Sequence, residues 1–179
     1  MAKTFLISDT HFGHSNILTF KKCDGTPLRV FDDVHHMDEY LIYKWNTTVR
    51  DCDKVYHLGD VGFKSFSPLK NIIDRLSGTK VLIKGNHDNL KLSQYQQLFK
   101  DVRSYHVLDK FVLSHIPIHP MSLSRWRGNI HGHLHANALD DPRYLNVSVE
   151  RLLDYAPIDF EEVREMFKDR QEEQDEANN

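Results

Sequence analysis

Three apolar runs in the first half of the chain each stop at a polar turn, and this repetition limits the possible fold more than any other feature. Lys3–Ser8 (KTFLIS) runs into Asp9–His14, Lys54–Leu58 (KVYHL) into Gly59–Asp60, and Lys80–Lys84 (KVLIK) into Gly85-Asn86-His87-Asp88. Short runs rich in Val, Leu and Ile, bounded by turn residues, predict buried strands. Helical stripes lie between them. Met37, Leu41, Trp45 and Val49 recur every fourth residue and predict an amphipathic helix over 37–49. Phe66, Leu69, Ile72, Ile73 and Leu76 form a second stripe, and Gly78 sits where a helix stop belongs. Alternation of strand and helix predicts parallel pairing.

The second half changes character. Val102–Leu108, Phe111–Ser114, Asn129–Ile130 and Tyr144–Val149 read as short strands with little helix between them, so a mixed or second sheet is expected. Asp159–Lys168 predicts a terminal helix. The remaining 169–179 (DRQEEQDEANN) is acidic without an apolar anchor and predicts a disordered tail. One domain over 1–168 is therefore expected, and 179 residues with 40% hydrophobic content can bury its core. The formal net charge of −3 argues against broad binding to long nucleic acid but leaves a small nucleotide open. Only Cys23 and Cys52 are present, with no secretory signal and no apolar run of membrane-spanning length. A reduced, cytoplasmic setting without a disulfide is expected.

Residues able to hold metal gather at the predicted strand ends. In open α/β sheets, ligands bind beyond the carboxyl ends of the strands, where loops distant in sequence converge. The segments are Asp9-x-His11, Gly59-Asp60, Gly85-Asn86-His87-Asp88, His115 and Gly132-His133-x-His135. Each alone is a weak signal, but together they supply a full set for two divalent cations. Histidine is the commonest metal ligand, and the chain has 12. A donor set of Asp, Asn and His without Cys suits Mn²⁺ first, then Fe, Zn²⁺ or Ni²⁺.

In this order the segments resemble the five motifs of the calcineurin-like metallophosphoesterase superfamily. The opening Asp9–Ile17 (DTHFGHSNI) is similar to its small bacterial and bacteriophage members. The resemblance implies an α/β fold: a four-layer α/β/β/α sandwich with two mixed sheets. It implies one metal held by Asp9, His11, Asp60 and His135, and a second by Asp60, Asn86, His115 and His133, with Asp60 bridging. It further implies a hydroxide between the metals as nucleophile and His87 as general acid, its ring held by Asp88. The implied substrates are small, nucleotide-like phosphodiesters, cyclic nucleotides included. The phage likeness adds an infected host's cytoplasm as a setting. One departure is Phe63, where many relatives have an acid; this puts in doubt any substrate role of that acid.

Other residues are weaker candidates. His14 is expected at the rim, near a substrate phosphate, or capping the next turn. Arg125-Trp126-Arg127 falls between His115 and His133, so an arginine on phosphate and Trp126 on a base are considered beside plain surface and core roles. Asn146 could steady the site from a final strand, and His131 should face away from the metals. Two other functions compete. A non-catalytic interaction module would show a lost ligand or a lost His87, and none is lost. A nuclease needs a basic track, for which Lys21, Lys22, Arg29, Arg125 and Arg127 are the available patch.

Overall fold

The computed structural model describes residues 1–177, with side chains through Arg170. Its first sheet is built from β1 (Thr4–Ile7), β2 (Lys54–His57), β3 (Thr79–Ile83), β4 (Asp101–Arg103) and β9 (Ile158–Asp159), in the order β4-β3-β2-β1-β9. The strands β1 to β4 are parallel and β9 joins antiparallel at the edge. The second sheet has the order β5-β6-β7-β8, from Tyr105–Leu108, Phe111–Ser114, Gly128–His131 and Tyr144–Asn146. There β5 and β6 are antiparallel and the other pairs parallel. Both sheets are thus mixed, as expected.

Helices α1 (Val34–Thr48), α2 (Phe66–Ile73) and α3 (Leu92–Leu98) form the first layer. Alternation along the strands decides what they cover. Phe5, Ile7, Val55 and Leu82 face the helices, packed with Met37, Leu41, Trp45, Leu69 and Ile73. The alternate residues Leu6, Tyr56, Val81 and Ile83 face the second sheet and meet Phe111, Leu113, Ile130 and Leu145. The Asp33 carboxylate starts α1 by accepting from the His36 amide at 2.8 Å. Trp45 anchors its last turn, buried and donating to the Ser77 carbonyl at 3.0 Å. Losing a buried tryptophan of this kind costs ~3–5 kcal/mol. The outer face of the second sheet is covered thinly, by a 3₁₀ turn at Pro120–Leu123 whose Leu123 packs on Val112 and Tyr144. Helix α4 (Phe160–Ala177) closes the intersheet core at the far end, with Phe167 against Phe111 and Gly128.

Two expectations are corrected, and one helix was not anticipated. Val102–Leu108 is two strands, not one: the chain changes sheets at Ser104, leaving β4 beside β3 and turning β5 onto β6. Helix α3 lacks an apolar stripe long enough to read, since Tyr95 and Leu98 alone are buried in it. The terminal helix does not stop at Lys168 before a disordered tail but continues to Ala177. Its Glu and Gln residues favour helix, and no Pro or Gly interrupts them. Residues 178 and 179 lie outside the described part. Among the described residues Cys23 and Cys52 form no disulfide, and no helix is long and apolar enough to cross a membrane.

Candidate metal centre

The loops that follow β1, β2, β3, β6 and β7 meet at one end of the two sheets. Beyond β1 and β2 the backbones stay paired, with the Asp9 amide donating to Gly59 O at 3.0 Å and the His11 amide to Asp60 O at 3.1 Å. Beyond β6 and β7 the Gly132 amide likewise donates to His115 O at 2.9 Å, and the second sheet joins the first through the Ser8 amide to Val147 O at 2.9 Å. A Cβ on Gly132 would collide with the side chains of Ser8 and Asp9, so only glycine lets this loop approach. Asp9, His11, Asp60, His133 and His135 have φ of 57°, 50°, 55°, 69° and 49°. Non-glycine residues in this region cost ~1–3 kcal/mol each and persist where the surroundings fix them, commonly at functional sites.

The strain brings donor atoms together. Asp9, His11 and His135 offer ligand atoms within 4.8 Å of one another, and so do Asp9, Asp60 and His115. Asp60 Oδ2 lies 3.8 Å from His11 Nε2 and 3.4 Å from His115 Nε2, so this one carboxylate faces both sides. Asn86 Oδ1 sits 2.8 Å from His115 Nε2 and 3.0 Å from His133 Nδ1. All seven sequence-predicted ligands therefore lie in one connected cluster.

Hydrogen bonding indicates that these atoms suit a cation. Asp9 Oδ2 accepts from the His133 amide and Ser148 Oγ, both at 2.9 Å, while Oδ1 is buried without a partner. Among the described residues both ring nitrogens of His11, like Asp9 Oδ1, are buried and unpartnered. Buried polar atoms normally find partners, and orphans of this kind point to an ion or a catalytic role. His115 Nδ1 donates to Leu58 O at 2.8 Å, which leaves Nε2 of the neutral ring as an acceptor facing acceptors on Asn86 and Asp60. A cation resolves that conflict. In its absence a proton does: burial pushes His115 down, but Asp60 and then the charge of Asp9 outweigh it and raise its pKa. For Asp9, burial likewise pushes up, while His11 and the charges of His115 and His135 hold the carboxyl well below the usual range. Burial lowers His11 and His133, favouring the neutral rings that metals need.

Several residues that sequence reasoning missed support the cluster. His135 Nδ1 bonds Glu150 Oε1 at 3.0 Å, and Arg29, buried, pairs with the same oxygen at 2.7 Å. Arg29 also donates to Thr10 O at 2.8 Å and to Asp9 O. Gly59 N–H donates to His57 Nδ1 at 3.2 Å, so Nε2–H faces Thr10 Oγ1 at 2.9 Å, and that hydroxyl donates to Val61 O. Asn146 is where sequence placed it, donating to His135 O at 2.8 Å and accepting from the Ser148 amide at 2.9 Å. No local spacing reveals Arg29, His57 and Glu150 as supports, because Arg29 meets Glu150 and Thr10, and His57 meets Thr10, only when segments remote in the chain come together.

Asp88 is corrected. It does not hold the His87 ring; its carboxylate accepts from the amides of Gly85, Asp60 and Val61 at 2.8, 2.9 and 3.0 Å. It is a backbone clamp between the β2 and β3 loops. His87 is exposed at the rim, its own amide donating to Asp60 Oδ1 at 2.8 Å. Phe63, the departure noted in sequence, stands among three histidine rings: His14 at 3.9 Å, His87 at 5.0 Å and His11 at 5.4 Å. His14 lies at the rim against Phe63, its pKa lowered to about 4 by burial and the neighbouring His11. His131 turns to Tyr144, away from the cluster. Arg125 and Arg127 are not brought to the metals. Both line a hollow with Lys110 and Phe167 near the start of β7, where Arg127 lies 3.6 Å from Asp109.

The fold and this cluster define a two-sheet α/β protein with a built metal-ligand centre at its strand ends. No family model matches the chain. The uncharacterized protein MJ1445 of Methanocaldococcus jannaschii is 37% identical over 177 residues, covering 94% of this chain and 93% of the relative, and the chain belongs to the family of that protein. The Gene 66 protein of Mycobacterium phage D29 is 27% identical over 212 residues, covering 96% of this chain and 99% of the phage protein. Among solved structures, the protein of unknown function AQ665 from Aquifex aeolicus aligns with a TM-score of 0.71 at 26% identity, covering 93% of this chain and 100% of that one. A metallophosphoesterase from Sphaerobacter thermophilus aligns at a TM-score of 0.40 and 13% identity, too remote to carry an argument.

Proposed function

We propose that this chain is a two-metal phosphoester hydrolase acting on small, nucleotide-like diesters. The observation that carries the reading is the buried, unpartnered set of Asp9 Oδ1 and both His11 nitrogens, facing Asp60 and the His115–Asn86 pair. Asp9, His11, Asp60 and His135 would hold one divalent cation, and Asp60, Asn86, His115 and His133 the other. When bound, the cations supply Lewis-acid stabilisation of phosphoryl oxygens and lower the pKa of water toward ~7. Mn²⁺ is the first candidate, with Fe, Zn²⁺ and Ni²⁺ compatible with the same donors.

The protein's own groups supply the rest. Asp60 presents its carboxylate to both sites, held by the Asp88 clamp and by the His87 amide. His87, exposed beside them, is placed to protonate the departing oxygen. Phe63 walls the rim, stacked on His11 at 5.4 Å and beside His87 at 5.0 Å. Hollows open on both flanks, one from Asn86 and His115 and another of 470 Å³ from His133 and His135, lined by Lys21 and Lys22. Room on both sides of the phosphoryl seat favours a diester over a monoester. A long nucleic-acid track is disfavoured, since Arg29 is buried and Arg125 and Arg127 lie elsewhere.

Metal-stripped protein reconstituted singly with Mn²⁺, Fe²⁺, Ni²⁺, Zn²⁺ or Mg²⁺ tests this against bis-p-nitrophenyl phosphate and p-nitrophenyl phosphate. Hydrolysis should return with metal, favour the diester, and collapse in His87→Ala and Asp60→Asn. A folded, metal-loaded protein inert to both would sink the hydrolase reading.

A further inference from the structure

The flank beyond Asn86 and His115 widens into an open cleft. It has about 580 Å³ on the outer face of the second sheet, a volume in the range of small-ligand sites. Its floor comes from alternation along β5 and β6: Tyr105 pairs with Ser114 and Val107 with Val112, so these side chains share one face. Its wall comes from the segment after β6, through Ile116, Ile118 and Trp126. The far end is apolar, where Trp126 packs with Val112 and Leu123. The near end is the metal cluster itself, since Asn86 and His115 line both.

Three properties restrict what fits. The cavity offers two aromatic side chains, Tyr105, 62% exposed, and the half-buried Trp126. The exposed hydroxyls of Ser104 and Ser122 at its margin are free of partners among the described residues. Lys84 is the charged side chain in the lining apart from histidine, it is exposed, and its ammonium has no carboxylate partner among the described residues. An aliphatic chain would use none of the hydroxyls, and a cationic ligand would face Lys84. A flat, edge-polar ring joined to an anion uses all of them.

We propose that this cavity seats the nucleobase of a nucleotide whose phosphoryl group lies at the Asn86–His115 end, with Lys84 facing the phosphate or ribose side. The orientation rests on the hydrolase reading, whereas the base seat rests on Tyr105, Trp126 and the sheet face alone.

Calorimetric titration of the Mn²⁺-loaded protein with AMP and with ribose 5-phosphate isolates the base. AMP should bind about tenfold more tightly, the order expected for one stacked base. Tyr105→Ala and Trp126→Ala should each erase most of that difference while leaving ribose 5-phosphate binding unchanged. Tyr105 is largely exposed, so its variant keeps the test valid if Trp126→Ala proves unstable. Equal binding of the two ligands by the parent protein, or a preference that survives both substitutions, would overturn the base seat; so would failure of either ligand to bind. The bis-p-nitrophenyl phosphate assay reports separately. Hydrolysis without a base preference leaves the hydrolase and removes the seat, and a base preference without hydrolysis does the reverse.

Discussion

Glu150 Oε1 stands 3.0 Å from His135 Nδ1, and the Arg29 guanidinium reaches the same oxygen. Through Arg29, whose other nitrogens hold the carbonyls of Asp9 and Thr10, one buried ion pair ties the first candidate ligand of the chain to the last. The bond to Nδ1 also fixes the ring tautomer, leaving Nε2 free for a metal. Burial opposes the charge on Glu150, but Arg29 and His135 outweigh it and keep the carboxyl ionised.

Glu150→Gln is therefore expected to act at two levels. Metal affinity should fall ~10–100-fold, as for lost partners of other ligating histidines. Stability should fall by ~3–5 kcal/mol, because Arg29 is left buried without its counter-charge. Calorimetric metal titration and denaturant unfolding measure the two separately. Unchanged affinity would mean that the bond from Asn146 to His135 O orients the ring alone.

Two adjacent residues should behave oppositely. His87 is exposed and its side chain makes no hydrogen bond among the described residues, so His87→Ala should cut kcat on the diester by ~10²–10⁴ with little change in Tm. Asp88→Ala frees three buried amides and should lower Tm sharply, at ~1–3 kcal/mol for each unsatisfied group. A large kcat loss in an Asp88 variant of normal Tm would restore a direct catalytic role.

What could be read from sequence followed from the separation between strand ends and their supports. Strand-end ligands repeat a local pattern, an apolar run followed at once by Asp, His or Asn, and Asp9, Asp60, Asn86 and His115 were legible by it. Asp88 was misassigned because neighbours in sequence suggest neighbours in space, while its carboxylate turns back into the loops instead. Arg29 and Glu150 carry no local signal: their meaning arises only when β1 and the segment after β8 come together. Adjacency in sequence also says little about Arg125-Trp126-Arg127, since Trp126 reaches the hollow beside Asn86 and His115 while both arginines line the one near the start of β7.

Arg125→Ala and Arg127→Ala should leave KM for the diester within about twofold, since both lie in the hollow near the start of β7. Steady-state kinetics on the double variant checks this. A sharp rise in KM would place substrate across the second sheet rather than at its strand ends.

The pH dependence of stability should carry the mark of His57. Burial holds this ring neutral, its pKa pushed down to about 3, whereas the unfolded ring titrates near ~6.5. Below ~6.5 the unfolded state binds a proton that the folded state refuses, so stability falls as pH drops from there toward 3, by up to about 1.4 kcal/mol per pH unit from this group. His57→Gln should be less stable at pH 7.5 yet show a shallower decline between pH 6.5 and 4.5. Parallel curves for parent and variant would assign the slope to other histidines.

Metal should stabilise the fold as well as activate it. Five strained ligand residues raise the free energy of the metal-free centre. A cation that binds only the folded chain adds ~2.7 kcal/mol at a hundredfold excess over its Kd. Removing metal with a chelator should lower Tm, and Mn²⁺ or Zn²⁺ should restore it with a concentration dependence that follows Kd. Asp60→Asn removes the charge that faces both sites. It should bind metal weakly and lose most of that response, and its metal-free Tm should also fall, because His115 and the His87 amide hold the Asp60 charge more strongly than Asp9 repels it. An Asp60→Asn protein stabilised by metal as strongly as the parent would place the cation elsewhere.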